Sequence, residues 1–259
     1  MSNYIKKESI QSVLKITLNR PDKFNSFNRE MSLQLQEALD FSAKEKKIRA
    51  VLITGEGKAF CAGQDLSEAA DPNGPGIKKI VEEHYNPIIK KIRGLQKPVV
   101  CSVNGVAAGA GANIALACDV VIAAASASFI QAFSKIGLIP DSGGTFILPR
   151  LIGWQRASAL MMLGEKVSSY DALQMGMIYK VIDEAMLQEE AMTIATTLSL
   201  MPTKGIALTK TLLNESFTNS LEKQLDRERD LQVEAAQTYD YMEGVKAFIE
   251  KRKPVFKGE

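Results

Sequence analysis

The chain has 259 residues, 46% of them hydrophobic, with 32 basic and 30 acidic side chains. That length holds one large domain or two small ones around a sizeable core, and the apolar content excludes a disordered chain. A net charge of +2, with no long block of one sign, gives no electrostatic footprint for nucleic acid.

No signal peptide is expected, because Ile5-Lys6-Lys7-Glu8 falls where an apolar run would lie. Ser12–Leu18 alternates apolar and polar residues as a half-buried strand does, and Asn19-Arg20-Pro21-Asp22 turns the chain. Met31, Leu35, Ala38, Leu39 and Ser42 keep helical spacing. Ala50–Thr54 reads as a buried strand stopped by Gly55-Glu56-Gly57. Residues 63–76 read as a mobile loop, and Ile77–Leu95 as a helix broken near Pro87. Strands follow at Val99–Val103 and Val120–Ala124, separated by a run of small residues, so α/β packing is predicted.

The uncharged stretch Pro98–Cys118 is long enough for a membrane span, but Gly105, Gly109, Gly111, Asn104 and Asn113 argue against one, and Lys97 and Asp119 close it. Beyond about Thr145 the pattern predicts helices only. Ser168-Ser169-Tyr170-Asp171 has the form of a capping box, and Leu221, Leu225 and Leu231 mark a long helix carrying i,i+4 charge pairs.

Three widely spaced cysteines, Cys61, Cys101 and Cys118, suit buried packing in a reducing cytoplasm better than a disulfide framework. A single histidine, His84, excludes two-histidine metal motifs, and no metal site is expected. No phosphate-binding G-x-x-x-x-G-K-[ST], no complete G-x-G-x-x-G and no G-x-S-x-G occurs.

Three segments point to chemistry. Ala59–Leu66 (AFCAGQDL) ends a strand in small residues that leave backbone N–H groups accessible, although alone it is only a turn. Val103–Leu116 starts a helix among small residues, which suits an anion, a carbonyl oxygen or simple close packing. Lys135–Thr145 places Asp141 at a turn where a helix begins, and the bland reading is a helix N-cap.

Together with the opening TLNRPDKFNSFN and the closing AFIEKRKPVFKG, these segments resemble, in order and spacing, the crotonase (enoyl-CoA hydratase/isomerase) superfamily over almost the whole chain. More narrowly, GQDL, DPNGP, HYNP and AFSKIGLIPDSGGT resemble the branch that opens arene epoxides of arylacetyl-CoA. The resemblance implies an α/β fold, a spiral of repeated ββα units over residues 1–200 carrying an acyl-CoA site. A C-terminal helical region over 201–259 would trimerise. It implies a homo-oligomer, trimer or dimer of trimers, acting on acyl-CoA thioesters in the cytoplasm. Coenzyme A would be part of the substrate and no separate cofactor, nucleic acid or membrane would be involved.

The resemblance also implies that the thioester oxygen is held by the backbone N–H groups of Gln64 and Ala110. Preorganised donors stabilise the enolate formed when an α-proton leaves, one donor being worth roughly 10²–10³ in rate. Because these donors are main-chain, replacing either side chain by a small one is expected to test them poorly. The two glutamates of the family's hydratases correspond to Asn113 and Phe133, neither of which is a general base, so two-carboxylate hydration is not expected. Asp141 falls where several isomerases and a dehalogenase of the superfamily carry a catalytic aspartate. A single carboxylate can move a proton from one carbon to another, and Phe133, Ile136 and Leu138 would raise its pKa if they face it.

Lys23, Phe24, Asn25 and Ala62 are expected near coenzyme A, with Asp65, Leu66, Tyr85, Asn113 and Phe133 lining the substrate. Lys251, Arg252 and Lys253 either meet phosphates or form a solvated tail. His84 shares the Tyr85 helix, with no partner carboxylate placed by sequence. The alternatives are Δ3,Δ2 double-bond migration by the same parts, a reaction with Asp141 as nucleophile, and a non-catalytic CoA- or RNA-binding protein of this fold.

Overall fold

The computed structural model describes residues 3–259. In chain order the strands are β1 (Ile5–Ile10), β2 (Val13–Leu18), β3 (Ala50–Gly55), β4 (Ala59–Cys61) and β5 (Val99–Val103). They continue with β6 (Val106–Ala108), β7 (Val120–Ala124), β8 (Ser128–Ile130), β9 (Lys166–Ser168) and β10 (Lys180–Ile182). One sheet has the order β1-β2-β3-β5-β7-β10, the other β4-β6-β8-β9. Among the described residues only the β1–β2 and β8–β9 pairs are antiparallel. The pairs β3/β4, β5/β6 and β7/β8 each give one strand to each sheet, which is the repeated unit of the spiral.

The sequence pattern explains the placement. β3 and β5 are buried on both faces and therefore read as unbroken apolar runs. Helix α1 (Arg29–Lys44) buries Met31, Leu35, Ala38, Leu39 and Ser42, the residues that keep helical spacing, and Asn28 caps it by accepting from Met31 N at 2.9 Å. The uncharged Pro98–Cys118 stretch is two short strands and the seven-residue helix α5 (Ala110–Leu116), fully buried. Among the described residues no helix is long and apolar enough to cross a membrane.

Residues 63–76, read as a loop, hold a one-turn helix α2 (Leu66–Ala69), and the following helix begins as α3 (Gly76–Lys79). It then widens into a π-helical turn at Ile80–Tyr85 before α4 (Asn86–Gly94). Pro87 has no N–H to give to the Glu83 carbonyl, and the side chain of Gln36 donates to that oxygen at 2.8 Å instead. The break expected at Pro87 is thus a π-bulge satisfied from α1.

The remaining helices are α6 (Gly144–Ile152), α7 (Trp154–Leu163), α8 (Ser169–Gln174), α9 (Leu187–Leu200), α10 (Thr203–Glu215), α11 (Leu221–Ala236) and α12 (Tyr239–Ile249). The helices-only expectation beyond Thr145 is corrected by β9 and β10, whose three residues each are too short to show a period. Ser168 does cap α8, accepting from Asp171 N at 3.1 Å. On α11 the charges pair at i,i+3 (Arg229 with Asp226) and across to α10 (Arg227 with Glu215), not at i,i+4. Two cations tie the C-terminal helices to the sheet. Arg49 donates to Thr203 Oγ1 and to the Met201 and Phe256 carbonyls, and buried Lys210 donates to the Ile92 carbonyl and to Asp119 at 2.7 Å.

Candidate active site

Two loops meet where the sequence placed its small residues. Gly63 has φ +93°, and a Cβ there would lie 3.0 Å from the Ala108 carbonyl and 3.6 Å from Ala110 N. A Cβ on Gly111 would fall 2.5 Å from the Cys61 carbonyl. These glycines let α5 start against the end of β4 and bring Gln64 beside Ala110. Phe27 pins the chain on both sides of Gln64: its N–H donates to Gly63 O at 2.7 Å and its carbonyl accepts from Asp65 N at 2.8 Å. Ala110 is the first residue of α5, where no intrahelical acceptor exists. Among the described residues neither the Gln64 nor the Ala110 N–H has a hydrogen-bond acceptor.

Asp141 is not the helix cap. The N-cap of α6 is Gly143, in the left-handed region, with no side-chain cap bond. The half-buried Asp141 carboxylate instead takes a hydrogen bond from the Ser142 hydroxyl at 2.8 Å. Burial pushes its pKa above the ordinary carboxylate range, although the Ser142 hydroxyl and its own amide pull the other way. Phe133 is buried with its ring edge 3.7 Å from where a Gly109 Cβ would stand, so it closes the wall next to Ala110. Ile136 and Leu138 are exposed in the single chain.

Asn113 does not present a free side chain. It is buried, its Nδ2 donates to the Asp141 carbonyl at 2.9 Å, and its Oδ1 accepts from Gln131 at 2.8 Å. Tyr85 is likewise buried, and its hydroxyl donates to Gln64 Oε1 at 2.8 Å. Burial, then the charges of Cys61, Asp141 and Glu68, push its pKa well up. His84 is fully buried, its Nδ1 and Nε2 have no hydrogen-bond partner among the described residues, and burial lowers its pKa.

The coenzyme residues separate into two groups. Lys23, Phe24, Ala62 and Leu66 are exposed around one mouth, joined by the Ala62 N–H to Phe24 carbonyl bond at 2.9 Å. Asn25 and Asp65 have their side chains engaged within the protein. Asn25 is fully buried, giving its amide to the Glu56 and Ala59 carbonyls and accepting from Arg20 N. Asp65 caps α2 and pairs with Arg20 at 2.9 Å. Burial raises its pKa, but the bonds from Ser67 and Arg20 outweigh that and hold it below the usual range. Arg252 is committed to Glu243 and Glu250, leaving Lys251 and Lys253 exposed in the tail. Sequence reasoning missed Glu68, which accepts from Gln64 Nε2 at 2.8 Å; its spacing of four from Gln64 was the only signal. The three cysteines are free and buried, and burial drives the Cys61 thiol to about 12 and the Cys101 thiol well up, so neither of these two is a nucleophile at neutral pH.

This geometry sits in a chain whose residues 8–259 match the family model described as Enoyl-CoA hydratase/isomerase. The chain belongs to that family. It is 48% identical, over the full length of both chains, to 1,2-epoxyphenylacetyl-CoA isomerase of Escherichia coli (strain K12). It is 38% identical to trans-2-decenoyl-[acyl-carrier-protein] isomerase of Streptococcus mutans, with 95% of each chain covered. Among solved structures, an enoyl-CoA hydratase from Polaromonas sp. JS666 superposes with a TM-score of 0.92 at 37% identity, covering 97% of this chain and 99% of that one. The two sheets and covering helices are therefore the crotonase fold of the enoyl-CoA hydratase/isomerase family. Within that fold this member carries Asp141 on a turn held by the Ala110 helix through Asn113, with an amide and a phenyl ring at Asn113 and Phe133.

Proposed function

We propose that this family member is an acyl-CoA isomerase that converts ring-1,2-epoxyphenylacetyl-CoA to the oxepin-CoA. The observation that carries the reading is the Asp141 carboxylate, free of capping duty, raised in pKa by burial and set on a turn that Asn113 of the Ala110 helix holds at 2.9 Å. The thioester oxygen lies between the Gln64 and Ala110 N–H groups, and Asp141 removes a proton from the acyl α-carbon. The charge moves to the thioester oxygen as an enolate, which the two amides stabilise. As the strained epoxide opens to the seven-membered ring, Asp141-H returns the proton to carbon, so substrate and product are isomers and no co-reactant is consumed. A carboxyl with a raised pKa suits both halves of that shuttle.

The 48% identity to the E. coli epoxide isomerase supports this substrate. The acyl-CoA is the only coenzyme the reaction needs, carried as part of the substrate. A homotrimer or dimer of trimers is the assembly we propose, since α7 and α12 expose Trp154, Met162, Phe248 and Ile249, each more than 70% accessible in the single chain. Double-bond migration in a 3-enoyl-CoA uses the same carboxylate and amides and is the second reading, favoured by the S. mutans isomerase. The test is product analysis after incubation with enzymatically generated 1,2-epoxyphenylacetyl-CoA and, separately, with 3-hexenoyl-CoA. Ring-expanded product supports the first reading, conversion of the hexenoyl ester alone supports the second, and no product from either defeats both.

A further inference from the structure

The Gln64 side chain is held at both ends. Its Oε1 accepts from the Tyr85 hydroxyl and its Nε2 donates to Glu68 Oε2, both at 2.8 Å. The two anchors are themselves fixed. Tyr85 is buried at the end of the π-helical turn, edge-on to the Phe27 ring with centroids 6.1 Å apart. Glu68 presents its other oxygen to the N–H of Arg29, the first residue of α1, at 2.9 Å. With Phe27 bonded to the backbone on either side of Gln64, rotation of the peptide that carries the Gln64 N–H is opposed by the main chain and by the side chain together.

We propose that the Tyr85–Gln64–Glu68 chain is a positioning device that aims the Gln64 N–H at the thioester oxygen, with Gln64, Tyr85 and Glu68 as positioning residues for the reaction. The inference rests on the oxyanion role given to that N–H above. Its physical basis is that a hydrogen bond to a developing charge loses strength steeply with misalignment, and a displacement of about 1 Å at a reacting group can cost about 10²-fold. A main-chain donor is thus made sensitive to side chains: Gln64→Ala keeps the N–H and loses its fixation. Through Tyr85 the chain also links the oxyanion loop to the π-helical turn that leads into α4.

The test compares wild type with Tyr85→Phe, Gln64→Ala and Glu68→Ala, each checked for folding by circular dichroism and thermal melting. Two readouts are taken. One is kcat and KM on the substrate that wild type converts. The other is the carbonyl stretch of bound phenylacetyl-CoA carrying 13C at the thioester carbon, which reports polarisation by the amide pair without turnover. The expected result is a fall in kcat of about ten- to hundredfold in Tyr85→Phe and Gln64→Ala, with KM within about threefold. The low-frequency shift of the carbonyl should shrink in the same variants, and Glu68→Ala should follow them. Should Tyr85→Phe fail to fold, Gln64→Ala and Glu68→Ala carry the test. Normal kcat and an unchanged carbonyl shift in the folded variants would overturn the inference while leaving the isomerase reading intact. A rise in KM alone would also overturn it, because it would make Gln64 a ground-state contact. If wild type binds the labelled ester with no carbonyl shift, the oxyanion reading itself is what fails.

Discussion

The side-chain amide of Asn113 donates to the main-chain oxygen of Asp141 at 2.9 Å, and the same oxygen accepts from Gly144 N at 2.9 Å. The helix that begins at Ala110 thereby holds the turn that carries the carboxylate. Gly144 makes room for this, since a Cβ there would stand 2.4 Å from Asn113 Nδ2. Asn113→Leu would leave the buried Asp141 carbonyl with one partner fewer and strip Gln131 of its acceptor. A loss of about 1–3 kcal/mol of stability is expected, read by denaturant unfolding, with a drop in kcat that exceeds any change in KM. Asn113→Glu should not restore hydration, because the longer side chain meets Gly144 and no second carboxylate stands at Phe133. Measurable water addition to crotonyl-CoA by this variant would contradict that.

Activity should depend on a group with a pKa above the ordinary Asp value of about 3.9. The proton-abstracting form of Asp141 is the carboxylate, so kcat/KM falls as pH drops through the raised value. The stability effect has the opposite sense. The folded state holds this proton more tightly than the unfolded chain does. The stability Asp141 contributes is therefore complete below the unfolded pKa and is lost as pH rises through the folded one. Asp141→Asn should accordingly melt at a higher temperature than wild type at pH 7, and the gain should vanish in acid. Parallel melts at the two pH values check this.

Gly111→Ala tests the meeting of the two loops. The added methyl would press on the Cys61 backbone and on Sγ at 2.7 Å, in a helix that is buried throughout. A cost of about 1–3 kcal/mol is expected with loss of activity, since Ala110 would be pushed away from Gln64. An unchanged melting temperature would show that the approach is looser than described.

Lys210→Met probes the anchor of α10. Burial lowers the Lys210 pKa despite the Asp119 charge beside it, so the ammonium is held at a cost in desolvation. Removing it leaves Asp119 with Arg93 at 3.3 Å and the Val99 N–H at 2.8 Å, and frees the Ile92 carbonyl. A loss of about 3 kcal/mol is expected by urea titration, and limited proteolysis should open the region of α10 first. Wild-type resistance would place the anchor elsewhere.

Much of the fold was legible because its signals are local. The β3 run, the spacing on α1 and the Ser168 cap each lie within a few residues, and each appears where the pattern put it. β9 and β10 were illegible because three residues make no period. The site was legible in its positions and less so in its bonds. Asn113 ties the Asp141 turn to the Ala110 helix, and the side chains of Asn25, Asp65, Tyr85 and Asn113 all bond to other parts of the protein. Their partners are distant in sequence: Tyr85 lies 21 positions from Gln64 and Asn113 lies 28 from Asp141. No spacing rule reports such pairs, because the sheet and the π-turn at Pro87 decide them. The bland reading of Asp141 as a cap failed for a reason that sequence also hides, the left-handed Gly143 that starts α6 without a side chain.

The most direct measurement is turnover by Asp141→Asn on the thioester that wild type isomerises, with binding of phenylacetyl-CoA and the melting curve taken on the same preparation. The account predicts a fall in kcat of about 10²–10⁴-fold with binding and folding retained. Near-normal turnover by a folded Asp141→Asn would contradict it, because the proton transfer would then not pass through this carboxylate.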